Sequence, residues 1–209
     1  MLRVGMAATT VRDVAREVGS SSGLIHHYFA SMDDLLAAAF ERAAGRDLAA
    51  TREALAACDG AVEQLGTFFA TYTRAEQDWA FQLWLDAWAE ASRRPAVQRT
   101  SQRLNIEWQQ LLVRIADEGI RAGVLSCPDP EAAAWRILSL LDGLALQTVA
   151  HRDSIDRQAV LAWSVAYAEA ELGLPTGSLT PTPDLSPSPG ARATRGGDKS
   201  VEAGGWLAR

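Results

Sequence analysis

The sequence predicts an all-α protein, and three observations carry that expectation. Apolar residues recur at helical i, i+3, i+4, i+7 spacing through most of the first 172 positions. Helix-start signatures stand ahead of such stripes: Thr10-x-x-Asp13, Ser31-x-x-Asp34 and Asp129-Pro130. No segment gives a convincing strand pattern.

Taken in order, Val11, Val14, Ala15 and Val18 form the first stripe, capped ahead by Thr10-x-x-Asp13 and ended by Gly19. A second short helix is expected from about Ser22 to Phe29, with Ser21 as its N-cap. Ser31-x-x-Asp34 opens a long helix through about residue 56. Further helices are expected near 60–75, 77–93, 96–122, 130–150 and 155–172. Arg94-Pro95 separates two of them, because proline disfavours helical geometry in the residue before it. Asp129-Pro130 begins another, with proline in the first turn, where its missing N–H costs little. After residue 172 the composition changes. SLTPTPDLSPSPGARATRGGDKSVEAGG is Pro, Gly and Ser punctuation with few large apolar groups, so 173–209 is expected to be a disordered tail. Residues 1–46 then form a small N-terminal domain and 47–172 a larger helical one.

The chain has 209 residues, 48% hydrophobic and 22% charged, a globular composition with material for one or two cores. Cys58 and Cys127 form no disulfide or metal framework, which suits a reducing cytoplasm. The N-terminus lacks a basic stretch followed by an apolar one, and no apolar run reaches the ~18 residues of a membrane span. A cytoplasmic protein without a membrane partner is therefore expected. The net charge of −6 argues against general coating of nucleic acid, yet permits a local DNA-reading face.

Two short helices joined by a tight glycine-containing turn are the grammar of helix-turn-helix. There the second helix enters the major groove while the first crosses the backbone. Val14, Val18, Ile25 and Phe29 can hold the two helices together, leaving Ser21, Ser22, His26, His27 and Tyr28 between core positions. Serine hydroxyls and free N–H groups at a helix start suit phosphate oxygens. Adjacent histidines on a helix point in different directions, so His26 and His27 are a poor metal pair. The acids Asp13, Glu17, Asp33, Asp34 and Glu41 balance Arg3, Arg12, Arg16, Arg42 and Arg46, so this region has no basic patch.

VRDVAREVGSSSGLIHHYFASMDDLL resembles the DNA-binding segment of the TetR family of bacterial transcriptional regulators, over residues 9–36. By that resemblance Thr10 matches a backbone-contacting threonine, and Ser21, Ser22, Leu24, His26, His27 and Tyr28 fall where the family meets DNA. Gly23 sits where a side chain would obstruct close approach. Three departures are visible. The family's lysine after the recognition helix is Met32, a turn valine is Ser20, and only MLRVGMAA stands where a full first helix is usual. Leu2, Arg3 and Val4 look like the end of that helix with Gly5 as its cap, and a start site placed too far downstream is expected to account for the rest.

In the larger part, Phe81, Trp84 and Trp88 are spaced by three and four and share one helix face. They can fill a core or a dimer seam, or wall a ligand chamber that is apolar with a few polar groups. Several indoles can also cage a quaternary ammonium through cation–π attraction. WLDAWAEASRRPAV, WQQLLVRIADEGIRAGVL and DPEAAAWRILSLLDGLALQ are similar to the C-terminal domain of the BetI-like branch of TetR regulators, which implies ligand sensing without naming the ligand. The candidate effector-binding residues are Phe81, Gln82, Trp84, Asp86, Trp88, Asn105, Trp108 and Gln109. Ile137, Leu138, Leu141, Leu144, Ala145 and Thr148, with Val160, Leu161, Ser164, Val165 and Ala168, are either core faces or the four-helix dimer seam that the resemblance implies.

The function so implied is a ligand-responsive DNA-binding regulator, a repressor released by a small-molecule effector. Its partners would be a near-palindromic double-stranded operator and a second copy of the chain. The alternative is a helical ligand-binding dimer whose N-terminus no longer binds DNA. An enzyme is the weakest option. The three histidines have no spacing that sets a base beside a nucleophile, and neither a glycine-rich phosphate loop after a strand nor a His/Cys zinc cluster is present. No catalytic residue, metal or cofactor is expected.

Overall fold

The computed structural model describes residues 4–72, 78–151 and 155–179. Its regular elements are α1 (Val11–Glu17), α2 (Ser22–Tyr28), α3 (Met32–Ala56), α4 (Ala61–Tyr72), α5 (Asp78–Ala91), α6 (Pro95–Arg121), α7 (Pro130–Ala150) and α8 (Arg157–Glu171). Local chemistry sets their starts. The Thr10 hydroxyl accepts from the Asp13 N–H while the Asp13 carboxylate accepts from the Thr10 N–H, a reciprocal capping box. Ser21, Ser31, Asp129 and Asp156 each accept one backbone N–H three residues on. Pro95 and Pro130 occupy the first turns of α6 and α7.

Helices α1 and α2 close on a small core of Ala15, Ile25 and Leu35, with Val11, Val14, Val18 and Phe29 packed around it. The turn between them needs Gly19. Its φ of +64° lets Gly19 N–H reach the Arg16 carbonyl and Ser20 N–H reach the Ala15 carbonyl.

The main core gathers α3 through α8 around Phe40, Phe68, Leu83, Leu112, Ile137 and Leu141. Helix α3 belongs to both cores. Leu35 faces the head, Leu36, Phe40, Ala44 and Leu48 face the body, and Met32 packs against both. The division expected at residue 46 therefore falls inside an unbroken helix. The packing changes hands near Leu35 instead, because a continuous α3 carries one apolar face past two cores.

One further expectation is corrected. Residues 173–179, assigned to the disordered tail, are packed. The buried Glu169 carboxylate accepts from the Gly177 and Leu179 N–H groups, and Leu179 is buried in the main core. A single acid thus captures a segment that its Gly, Pro and Ser content made look free. The rest of the expected tail, 180–209, lies outside the described residues, as do Leu2 and Arg3 of the expected helix end. Gly5 has a positive φ of +79°.

Met32, placed by resemblance where a lysine would meet phosphate, is half-buried between the cores and presents no cationic group. Ser20, which stands for a turn valine, has a buried Oγ with no hydrogen-bond partner among the described residues. A hydroxyl left unpaired in an apolar site costs about 1–3 kcal/mol. Ser20→Val is therefore expected to stabilise the protein by about 1 kcal/mol and to slow hydrogen exchange in α1 and α2. Faster exchange in the head of the variant would contradict this account of the turn.

Candidate nucleic-acid interface and interior cavity

Helix α2 buries Ile25 and turns most of its other side chains outward. Ser21, Leu24, His26, His27 and Tyr28 are exposed and Ser22 is half-buried; Tyr28 retains 71% of its accessible surface. The His27 and Tyr28 rings meet edge to face at 5.2 Å. A Cβ built on Gly23 would meet nothing closer than Ser21 Oγ at 3.8 Å. The open space lies on the outer side, so packing within the chain does not demand glycine there. Thr10 is exposed, but its hydroxyl also donates to Asp13 Oδ2 at 2.6 Å, so it is engaged in the capping box.

The acids of the head are partly neutralised from below. Arg94 donates to Asp33 and Arg103 pairs with Glu41, both reaching from the body. Arg16 pairs with Asp13 on the surface of α1. The charge balance read in the sequence therefore understates how much negative charge on the head is already countered.

In the body, α3, α4, α5, α6 and α7 enclose a cavity of about 40 Å³. Phe81, Trp84, Leu85 and Trp88 line it from α5, Asn105 and Trp108 from α6, and Leu138, Asp142, Ala145 and Leu146 from α7. Asp47, Thr51 and Thr71 complete the wall. Trp84 stacks edge-on against Phe40 with ring centres 5.0 Å apart, and Trp88 tilts against Trp84 at 5.5 Å. These contacts fix the indoles and aim aromatic surface into the space.

Five of the residues assigned from sequence to an effector site meet here: Phe81, Trp84, Trp88, Asn105 and Trp108. Three do not. Gln109 is buried and donates to the Glu131 carbonyl, joining α6 to the start of α7. Gln82 donates to Asp86 Oδ1, and Asp86 Oδ2 accepts the Met6 N–H at 3.0 Å. A helix advances about 100° per residue, so Gln82 and Asp86 stand on a different face of α5 from Phe81 and Trp84. Asp47, Thr51, Thr71 and Asp142 were not found from sequence. They come from helices distant in the chain, and no local spacing marks them.

Helix α5 thus has two engaged faces. One carries the aromatic wall. The other holds the head: Met6, fully buried, is gripped through its N–H by Asp86. At the end of α5, buried Glu90 accepts from Arg93 and Arg94, and Arg94 continues to Asp33 near the start of α3 at 2.7 Å. Hydrogen bonds from Arg93 and then Arg94 hold the Glu90 carboxyl below the usual range, while those from Glu90 and Asp33 raise the Arg94 guanidinium. Asp142 shows the opposite behaviour. Burial pushes its carboxyl up to about 7.

Comparison with known proteins places both halves. A family profile for bacterial regulatory proteins of the tetR family matches residues 1–39, and one for the C-terminal domain of BetI-type transcriptional repressors matches residues 61–173. The chain is 30% identical over 182 residues to the HTH-type transcriptional regulator BetI of Pseudomonas aeruginosa PAO1, covering 84% of this chain and 88% of that one. A transcriptional regulator from Saccharomonospora viridis, solved in complex with choline, is similar in fold with a TM-score of 0.73 at 22% identity, over 82% of this chain and 90% of that one. The regulator FadR of Bacillus subtilis, solved with stearoyl-CoA, is similar with a TM-score of 0.65 at 19% identity, over 82% of this chain and 91% of that one.

The buried carboxyl has a measurable consequence. An acid whose folded pKa lies above its unfolded one keeps a proton that the unfolded chain has lost, so stability falls as pH rises from about 4 through about 7. Asp142→Asn removes that titration. Its stability advantage over the wild type is expected to grow by about 2–3 kcal/mol between pH 5 and pH 8. Denaturant unfolding at the two pH values checks this, and an advantage independent of pH contradicts it.

Proposed function

The chain belongs to the TetR family of bacterial transcriptional regulators, in the branch with a BetI-type C-terminal domain, and from that membership we propose how this molecule works. Two copies form a dimer, set their α2 helices in successive major grooves of a near-palindromic operator, and release it when an effector enters the aromatic cavity. What supports the DNA contact most is the outward display of Ser21, Leu24, His26, His27 and Tyr28 on a helix whose single buried residue, Ile25, ties it to α1 and α3. The same intact small core speaks against the alternative, a ligand-binding dimer that has lost DNA recognition. Two half-sites about 34–36 Å apart fit a twofold pair of such heads.

The dimer seam needs a different surface from the one the apolar pattern suggested. Ile137, Leu138, Leu141, Ala145, Val160, Ser164, Val165 and Ala168 are buried within the monomer, with Leu144 and Leu161 packed against the same core. Periodicity showed that α7 and α8 had apolar faces, but not what covers them. The faces left open carry Trp135, Ser139 and Gly143 on α7 and Ala162, Trp163 and Ala166 on α8, with Trp163 53% exposed. Indoles beside small residues suit close helix approach across a seam.

Release requires the effector to favour a state in which the heads stand at the wrong separation; equal affinity for both states would do nothing. Helix α5 provides the link, since the cavity's indoles and the Asp86 and Glu90 anchors share its backbone. An effector larger than the present narrow space must displace those indoles and with them the anchors. The neighbours bound to choline and to stearoyl-CoA show that this fold accepts ligands of opposite charge, so side chains rather than the fold select the effector.

Selection of bound duplexes from random DNA by the full chain is expected to return inverted repeats spaced by one turn. Against such a duplex, Tyr28→Ala should weaken binding roughly tenfold or more without loss of helicity. Trp163→Glu should sediment as a monomer and lose most operator affinity. Wild-type affinity in both variants would refute the proposed interface and seam.

A further inference from the structure

Resting on α2 as the DNA-reading helix, we propose that His26 and His27 meet operator phosphates as imidazolium cations. Binding then takes up protons, and the chain grips its operator more tightly as pH falls. The distribution of charge carries this. From Glu17 to Glu41 the chain has four carboxylates, Glu17, Asp33, Asp34 and Glu41, and no Lys or Arg. His26 and His27 are the side chains of that stretch that can become positive. They stand on the element that approaches a polyanion, and Met32 beyond it offers no cation.

Geometry leaves both rings available. His26 and His27 are exposed, while Ile25 beside them is buried and fixes the helix. Neither has a hydrogen bond or ion pair with a described residue; His27 meets the Tyr28 ring edge to face at 5.2 Å. Successive helix positions differ by about 100°, so the two imidazoles reach to different sides of α2. A helix seated in the major groove has a phosphate strand along each side.

The charged groups packed around α2 neither claim these rings nor supply the same effect. On α1, Asp13 is held by Thr10 and Arg16, and Glu17 is not free. On α3, Asp33 pairs with Arg94, Asp34 with Ser31 and Glu41 with Arg103. The cations of those helices, Arg12, Arg16, Arg42 and Arg46, are arginines, whose charge does not change near neutral pH. Histidine does change charge there, and a neighbouring anion favours its charged form. An imidazole that is neutral in the free protein therefore gains a proton as it meets phosphate, and affinity climbs as pH falls from 8 to 6.

Affinity of the full chain for a duplex selected from random DNA, measured at pH 8 and pH 6 over a range of salt, tests this. Affinity is expected to rise about tenfold or more at pH 6. Its loss with added salt should be steeper there, by about one phosphate contact per subunit or more. His26→Gln combined with His27→Gln should bind almost equally at the two pH values, with the shallow salt slope at both. His26→Lys combined with His27→Lys should show the steep slope at both. Asp142, raised by burial to about 7, changes charge in the same window. It is intact in both variants, so pH dependence that arises in the body would survive in the glutamine variant. The proposal is overturned if affinity or salt slope is the same at pH 6 and pH 8, or if the difference survives in the glutamine variant. Equal binding at both pH values defeats this inference alone and keeps α2 as the DNA-reading helix. Failure to prefer any duplex at either pH defeats that reading, and this inference with it.

Discussion

A fourteen-residue helix, α5, is asked to satisfy two unlike neighbours at once. Its aromatic side walls a cavity whose opposite wall includes Asp142, which has no hydrogen bond or ion pair with the described residues. Its polar side holds the N-terminal segment through the Asp86 bond to the Met6 N–H and, through Glu90 and Arg94, the first turn of α3. A close-packed interior transmits such constraints because it has little room to absorb a displacement. Shifting α5 to accommodate a ligand therefore disturbs hydrogen bonds at the head, and moving the head disturbs the indoles. That reciprocity is what thermodynamic coupling between two sites requires.

The head is poorly equipped to hold a position by itself. Its core is three buried side chains with a partly buried rim, and its turn hydroxyl Ser20 Oγ has no partner among the described residues. Orientation comes instead from the body: the continuous α3, Met32 wedged between both cores, and Arg94 and Arg103 reaching up to Asp33 and Glu41. The same two arginines offset negative charge on the first turns of α3, beside the head. A small domain whose placement depends on its neighbour is readily repositioned by that neighbour.

Much of this was legible in the sequence because its causes are local. A cap needs a side chain three residues from an N–H, so Thr10, Ser21, Ser31 and Asp129 announced their helices. Phe81, Trp84 and Trp88 announced a shared face by spacing alone. What was not legible depends on which helices meet. No local spacing marks Asp142, which gains its setting only where α3, α5 and α6 close around it. Gln82 and Asp86 lie beside the aromatic positions in the chain, yet a turn of helix carries them to the head. The faces of α7 and α8 showed an apolar side without showing that the monomer itself covers it. Residues 173–179 looked unstructured because the acid that captures them, Glu169, is buried within the preceding helix.

The coupling across α5 is tested most directly in Asp86→Ala, which removes the acceptor of the Met6 N–H while leaving the cavity wall and the α2 surface in place. Operator affinity is measured with and without a saturating cavity ligand, in the variant and in the wild type, and compared as a ratio of ratios. The predicted result is that the variant still binds both DNA and ligand, but that ligand changes its operator affinity far less than it does in the wild type. An undiminished ligand effect in Asp86→Ala would contradict the link.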